Sequence, residues 1–279
     1  MNMISNFYTK KHIFLKSEKN ISKSKSDFSK KNCTTKRIIL HLPRKMYPHI
    51  LHIETSTELC SVALSRGSSC LAVKENAEGR NHAAQLTLFI DDLLKTNHIS
   101  VHQLNAVAVS SGPGSYTGLR IGLSTAKGLC YGGNIPLIAV STLQTMSMGF
   151  AGQYDVPDTA LFCPMIDARR MEVYTALYDK NGRQMEKVSA EIITEQSFTS
   201  WLDRYPIYFF GNGAVKCRTT ITHPNAFFPE GFAHSARYMI QPALRTFNEK
   251  RFEDTAYYEP FYLKDFIAGP KKSAFKLTK

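Results

Sequence analysis

An apolar run at 49–55 ends in an acid, Glu54, and passes into Thr55-Ser56-Thr57, within IETSTELCSVAL (53–64). Hydroxyls and free amides in such a turn can hold a phosphate or a metal-bridged phosphate beside the carboxylate. The same residue types also build ordinary hairpin turns, so this motif alone leaves both readings open. A second candidate is SSGPGSYTGLRIGLSTAKG (110–128), where Gly112 and Gly114 punctuate a turn ahead of a helix. A glycine-rich turn feeding a helix leaves backbone N–H groups free to cradle phosphate. The stretch matches neither of the two common nucleotide loops, GxxxxGK and GxGxxG, and the glycines also suit a tight turn. Within the helix, Gly118, Gly122 and Ala126 recur every four residues, while Arg120 and Lys127 project elsewhere. Mid-helix glycine costs roughly 0.8–1 kcal/mol relative to alanine. Two on one face predict that another backbone packs close there, inside the chain or in a partner.

The remaining candidates are weaker. Asp167 ends a strand ahead of Arg169-Arg170, which reads as charge at a cleft or, more simply, as a solvated turn capped by Asp167. Gly211-Asn212-Gly213 follows a strand and either approaches a nucleotide base or turns the chain; the turn is the favoured reading. His98 and His102 have the i, i+4 spacing of a metal helix but lack the acid of HExxH and sit where a helix has ended. No Ser/His/Asp or Cys/His set assembles, and the thiols have no evident activating base.

The elements that must position these residues follow from periodicity. Strands are expected at 49–55, 60–65, 70–74, 106–111 and 135–141, with helices at 81–97, 119–131 and 143–150. The first helix keeps Leu86, Phe89, Ile90, Leu93 and Leu94 on one face. A second unit brings strands at 160–167, 171–179, 184–188 and 206–211, with a hairpin turn at Asp179-Lys180-Asn181-Gly182 and helices at 198–202 and 236–247. A meander followed by alternating helix and strand occurs twice, which predicts two related α/β halves meeting near 149–158.

Charge divides the chain of 279 residues differently. Residues 1–45 hold twelve Lys/Arg and two acids, and so carry +10 of the +12 total. The basic charge that would mark a nucleic-acid binder therefore belongs to this segment, and the body is near neutral. The segment reads as an unstructured extension, or as a start placed upstream of Met46; a basic RNA-touching arm and a transit peptide are the alternatives. No run approaches the ~18 apolar residues of a membrane span. Six cysteines without CxxC spacing argue against zinc ribbons and disulfide scaffolds. These features together predict a soluble, cytoplasmic, mixed α/β protein.

ILHIETSTELCSVAL (50–64), SSGPGSYTGLRIGLSTAKGL (110–129), CPMIDARRMEVYTALYD (163–179) and FYLKDF (261–266) resemble the TsaB (YeaZ) family. These are non-catalytic paralogues of TsaD in the bacterial machinery for threonylcarbamoyladenosine in tRNA, and the likeness spans 46–270. It implies an α/β, two-lobed actin-like (ASKHA, ribonuclease H-like) fold with a degenerate nucleotide cleft. The lobes would be 46–150 and 151–279, the C-terminal segment packing back on the first. It implies a scaffold that binds and activates TsaD, which modifies the adenosine next to the anticodon. The implied partners are TsaD in a heterodimer, the ATPase TsaE in a ternary complex, a second copy when alone, and tRNA through the complex, with no membrane. No cofactor of its own is implied; ATP/ADP and a metal ion belong to the partner subunits. The metal-binding HxxxH pair of TsaD is reduced here to His82 with Leu86 four residues on, and no other metal ligand set is implied. Glu54, Thr55, Ser56, Gly112 and Gly114 become a degenerate phosphate loop. Leu86, Phe89, Leu93, Tyr116, Gly118, Arg120, Gly122, Ala126 and Lys127 become partner-interface candidates, with the outward members of the first three left open. On this reading Gly118→Leu or Gly122→Leu leaves a folded monomer that has lost its partner. The old peptidase-like label has no residues behind it. Two other functions stand beside this one: an ASKHA phosphotransferase or hydrolase using Glu54 and Thr55, and an RNA binder acting through 1–45.

Overall fold

Short apolar runs, buried almost continuously on both faces, set the architecture. A computed structural model describes residues 47–76 and 81–264. The expectations for 1–45 lie outside the described residues. The first half contains β1 (His49–Glu54), β2 (Cys60–Arg66), β3 (Ser69–Asn76), α1 (His82–Thr96), β4 (Ala106–Ser110), α2 (Tyr116–Gly133), β5 (Leu137–Val140) and α3 (Thr142–Ala151). The second contains β6 (Leu161–Asp167), β7 (Glu172–Tyr178), β8 (Gln184–Ile192), α4 (Thr199–Leu202), β9 (Ile207–Phe210), α5 (Ala214–Cys217), β10 (Ala226–Phe227) and α6 (Ile240–Asn248).

The strands form two five-stranded sheets, ordered β3-β2-β1-β4-β5 and β8-β7-β6-β9-β10. In each, the first three strands are antiparallel and the last two join the first in parallel. The duplicated order is that of the two-lobed ASKHA fold, and it realises the expected repetition without any sequence repeat.

Strand period two sends side chains to opposite faces. On the first sheet Leu51, Ile53, Val107 and Val109 meet Leu86, Ile90 and Leu93 of α1 and Leu123 and Ala126 of α2. On the other face, Ile50, Ala106, Ala108 and Ile138 meet Ala236, Met239 and Ala243. His52 shares the parity of Ile50 and is fully buried, which pushes its pKa down to about 3. It stays neutral, bonded through Nε2 to Ser65 Oγ at 2.8 Å. The second sheet is covered on one face by α4 and α5 and on the other by α3. Each half thus lends a helix to the other's sheet: α3 leaves the first, and α6 returns to it.

Most boundaries fall close to expectation. Strand β8 runs on to Ile192 because it pairs along the full length of β7. The helix expected at 236–247 opens as a 3₁₀ turn, Ala236–Met239, before α6. Pro242 explains this, since it fits the first turn of an α-helix, where its missing N–H has no partner to lose. Among the described residues, no helix is long and apolar enough to cross a membrane.

Phe150 joins the halves. It is fully buried, stacks on Phe210 at 4.2 Å and Tyr154 at 4.3 Å, and meets the edge of Phe162 at 5.1 Å. Phe150→Ala is expected to cost about 3–5 kcal/mol in urea unfolding. A cost below about 1 kcal/mol would show that this junction is not part of the core.

Candidate functional site

The end of β1 and the start of α2 come together as one unit. Ser115 caps α2, accepting from Gly118 N at 3.2 Å, and Leu119 N donates to Ser115 O at 2.9 Å. Ser115 N in turn donates to Ser56 O at 2.6 Å. Thr55 Oγ1 donates to Gly118 O at 2.8 Å. The glycines permit this contact. A Cβ on Gly118 would lie 2.0 Å from Thr55 O, one on Gly122 2.3 Å from Thr55 Oγ1, and one on Gly114 2.4 Å from Ser56 O. Gly112, at φ +102°, would place its Cβ 2.7 Å from Phe261 O. The 54–56 turn and the 112–118 loop are therefore seated directly on each other.

Glu54 is equally committed. It is fully buried, accepts from Ser56 N at 2.7 Å through Oε1, and lies 2.8 Å from His234 Nε2 through Oε2. Burial alone would raise its carboxyl. The His234 charge, with hydrogen bonds from His234 and Ser56, outweighs burial and holds it below its ordinary value. His234 comes from the segment leading to α6, so the pair ties that segment to β1. Its neighbour Ser235 donates to Glu75, and Ala236 N donates to Ser61 Oγ at 2.8 Å.

The small-residue stripe is internal, which corrects one expectation. Gly118, Gly122 and Ala126 are buried against β1, as are Leu86 and Leu93 in the core, so none of the five offers area to a partner. Phe89 is half-buried. Arg120 is exposed, with its guanidinium 4.2 Å over the half-buried Tyr116 ring. Half-buried Lys127 donates to Ala256 O at 3.1 Å. Sequence reading missed the outward stripe of α2: Ser124, Gly128 and Gly132 are exposed at the same four-residue spacing. Added Cβ atoms on Gly128 and Gly132 would meet nothing within 4 Å among the described residues. Tyr131 on the same helix is 89% exposed, and Leu88 on α1 is 66% exposed. The spacing was visible in the sequence; which stripe faced the sheet was not.

The second half repeats the pattern at the ends of β6 and β9. Asp167 N donates to Asn212 Oδ1 at 3.0 Å, and Lys216 pairs with Asp167 while donating to Arg170 O at 2.6 Å and Glu172 O at 2.7 Å. Against the effect of burial, the Lys216 bond and the Arg169 amide hold the Asp167 carboxyl down. Cβ atoms on Gly211 and Gly213 would strike Met165 O at 2.4 Å and Ile166 C at 2.9 Å. Both features are turns with their polar groups already used, as the simpler readings expected.

Metal and thiol chemistry find no support in the arrangement. His82 opens α1 with Leu86 in the core, while His98 and His102 lie exposed beyond that helix. Among the described residues no group of three or more His, Cys, Asp or Glu is placed to hold a metal. Burial pushes the Cys60 and Cys130 thiols up to about 11 and raises Cys70, Cys163 and Cys217 as well, so none is an activated nucleophile.

Two outcomes follow. Gly118→Leu and Gly122→Leu are expected to abolish the cooperative thermal transition, because each must expel Thr55; a folded variant by circular dichroism would contradict the packing. Because the folded Glu54 pKa lies below its unfolded value, its contribution is complete above about pH 4.3. The contribution disappears as pH falls through the folded pKa. Glu54→Gln is expected to cost about 3–5 kcal/mol at neutral pH and to flatten the acid limb of stability in urea titrations from pH 3 to 7. An unchanged limb would remove Glu54 from the account.

Comparison with known proteins agrees with the geometry. The family model for TsaD, tRNA N6-adenosine threonylcarbamoyltransferase, matches residues 74–229. The chain is 32% identical over 241 residues to the tRNA threonylcarbamoyladenosine biosynthesis protein TsaB of Escherichia coli (strain K12), covering 80% of this chain and 97% of the relative. It is 33% identical over 171 residues to TsaB of Bacillus subtilis (strain 168), covering 58% and 70%. Among solved structures, YeaZ from Pseudomonas aeruginosa superposes with a TM-score of 0.68 at 25% identity, over 77% of this chain and all of that one. A second structure from that organism, described as similar to peptidase YeaZ, superposes equally well over 78% of this chain and all of that one, also at 25% identity. With 97% of a relative covered at 32% identity, the chain belongs to the TsaB family of tRNA threonylcarbamoyladenosine biosynthesis proteins.

Proposed function

We propose that this chain is a non-catalytic, cytoplasmic accessory subunit that binds and activates a TsaD-type subunit through the outward faces of α1 and α2. One observation carries the reading. Gly128 stands in the middle of α2, exposed, with open space where a Cβ would be. Such a glycine costs the isolated chain roughly 0.8–1 kcal/mol and serves no contact among the described residues. Close approach by a second helix gives it a use, as the inward stripe is used by Thr55. Ser124 and Gly132 continue that line, and Tyr131 on the same helix and Leu88 on α1 supply exposed apolar area. The same face serves a second copy when the partner is missing, which makes the homodimer and the heterodimer alternatives. An ATPase of the TsaE type and tRNA join through the assembled complex, and nucleotide and metal reside in the partner subunits.

The competing phosphotransferase reading needs Glu54 and Thr55 free, and both are bound within the chain. The test uses two variants at one position. Gly128→Ala is expected to raise the thermal midpoint of the isolated chain by a few degrees. Gly128→Leu is expected to fold normally and to weaken association with the TsaD-type subunit at least about tenfold, read by calorimetric titration. Full affinity in folded Gly128→Leu would place the interface elsewhere.

A further inference from the structure

After α6 the chain forms no further helix or strand among the described residues, yet 252–264 follows a defined course. Glu253 N donates to Leu137 O at 3.0 Å at the edge of the first sheet. Asp254 Oδ1 accepts from Ala256 N at 2.8 Å, and Ala256 O takes the Lys127 ammonium at 3.1 Å. Tyr258 packs on the α1/α2 core and Pro260 is buried. Phe261 N donates to Ser111 O at 2.7 Å, its own carbonyl filling the space beside Gly112. The Tyr262 ring lies 4.9 Å from Tyr116, and its hydroxyl accepts from Arg120 Nε at 3.4 Å. Lys264 closes the run in an ion pair with Glu172, on the second sheet. With Ala256 at Lys127 and Tyr262 at Arg120, the segment runs antiparallel to α2.

These contacts occupy the polar side chains of the N-terminal flank of α2: Tyr116, Arg120 and Lys127. Apart from Tyr258 and Pro260, the segment is lightly held: Phe252, Asp254, Ala256, Tyr257, Glu259 and Phe261 are exposed, and its backbone is tied to the sheets at Glu253 and Phe261. Segments with few buried contacts open well below the global unfolding free energy. The Glu172 end of the clasp is mostly buried and the Lys264 end about half exposed. The clasp therefore yields to salt or to loss of one charge without disturbing either core.

We propose that residues 252–264 form a clasped strap that gates access to the flank of α2, opening as one unit when the Lys264–Glu172 pair is broken while both sheets stay folded. Closed, it sets Tyr262 against the exposed Arg120 and holds the half-buried Lys127 against a carbonyl. Open, it presents two cations and two aromatic rings next to the outward stripe. The gate is measured on the chain alone, so its failure is separate from that of the partner reading above.

The experiment is amine acetylation of the whole chain with mass-spectrometric readout, paired with amide hydrogen exchange, on wild type, Lys264→Ala and Lys264→Arg. Lys95, exposed on α1, is the internal reference. Lys127 is expected to label about three- to fivefold faster in Lys264→Ala, the worth of a partly exposed pair. Exchange over 252–264 should rise in parallel, with β1 and β4 unchanged, and high salt should act on wild type in the same direction. Lys264→Arg should restore the wild-type rates. Equal Lys127 labelling in wild type and Lys264→Ala would overturn the gate. So would strap amides that exchange only together with β1 and β4.

Discussion

A carbonyl oxygen, Thr55 O, sits where the side chain of residue 118 would otherwise begin. At 2.0 Å from an ideal Cβ on Gly118, it leaves no alternative residue at that position. The same turn presses on Gly114 through Ser56 and on Gly122 through the Thr55 hydroxyl. Two backbones at this separation fix the tilt of α2 on the first sheet. That tilt decides which of its faces is spent on the core and which remains for others. The loop geometry follows from it as well. Gly112 at φ +102° admits Phe261 O, so one motif, GPGSYTG, receives the β1 turn from one side and the C-terminal segment from another.

The same contact bears on the phosphate-loop candidates of the sequence. A phosphate loop needs amides that point at empty space. Here the turn after β1 and the start of α2 satisfy one another, and Glu54 lies 2.8 Å from His234 Nε2. The second half repeats the arrangement, with Lys216 bound to Asp167 and to two carbonyls, and Gly211 and Gly213 against the end of β6. At both places the turns are held by contacts within the chain. What remains outward on α2 is a helix face with small residues that meet nothing among the described residues.

Much of this was legible in the sequence. The strands of both sheets announce themselves as short apolar runs between Gly, Asn and Asp, and the period of α1 reads correctly because Leu86, Ile90, Leu93 and Leu94 do enter the core. The glycine stripe at 118 and 122 correctly signalled a close backbone. Periodicity, however, reports that one face of a helix is special and does not say what lies against it. Two stripes with the same spacing, 118-122-126 and 124-128-132, were available, and only the position of Thr55 separates them. The Glu54–His234 pair was out of reach, since 180 residues separate partners that carry no local motif. Short elements such as α5 and β10 were missed for the opposite reason: four and two residues are too few to display any period.

The most direct test of the account is a reconstitution that scores the modified nucleoside rather than binding. A TsaD-type subunit from the same genome, with its ATPase partner, the threonylcarbamoyl donor and tRNA, is assayed with and without this chain. The account predicts formation of threonylcarbamoyladenosine only when the chain is present. It also predicts none from the chain alone, and full activity from a Glu54→Gln variant that remains folded. Equal product with the chain omitted would contradict the accessory role, and product from the chain without the TsaD-type subunit would contradict the non-catalytic one.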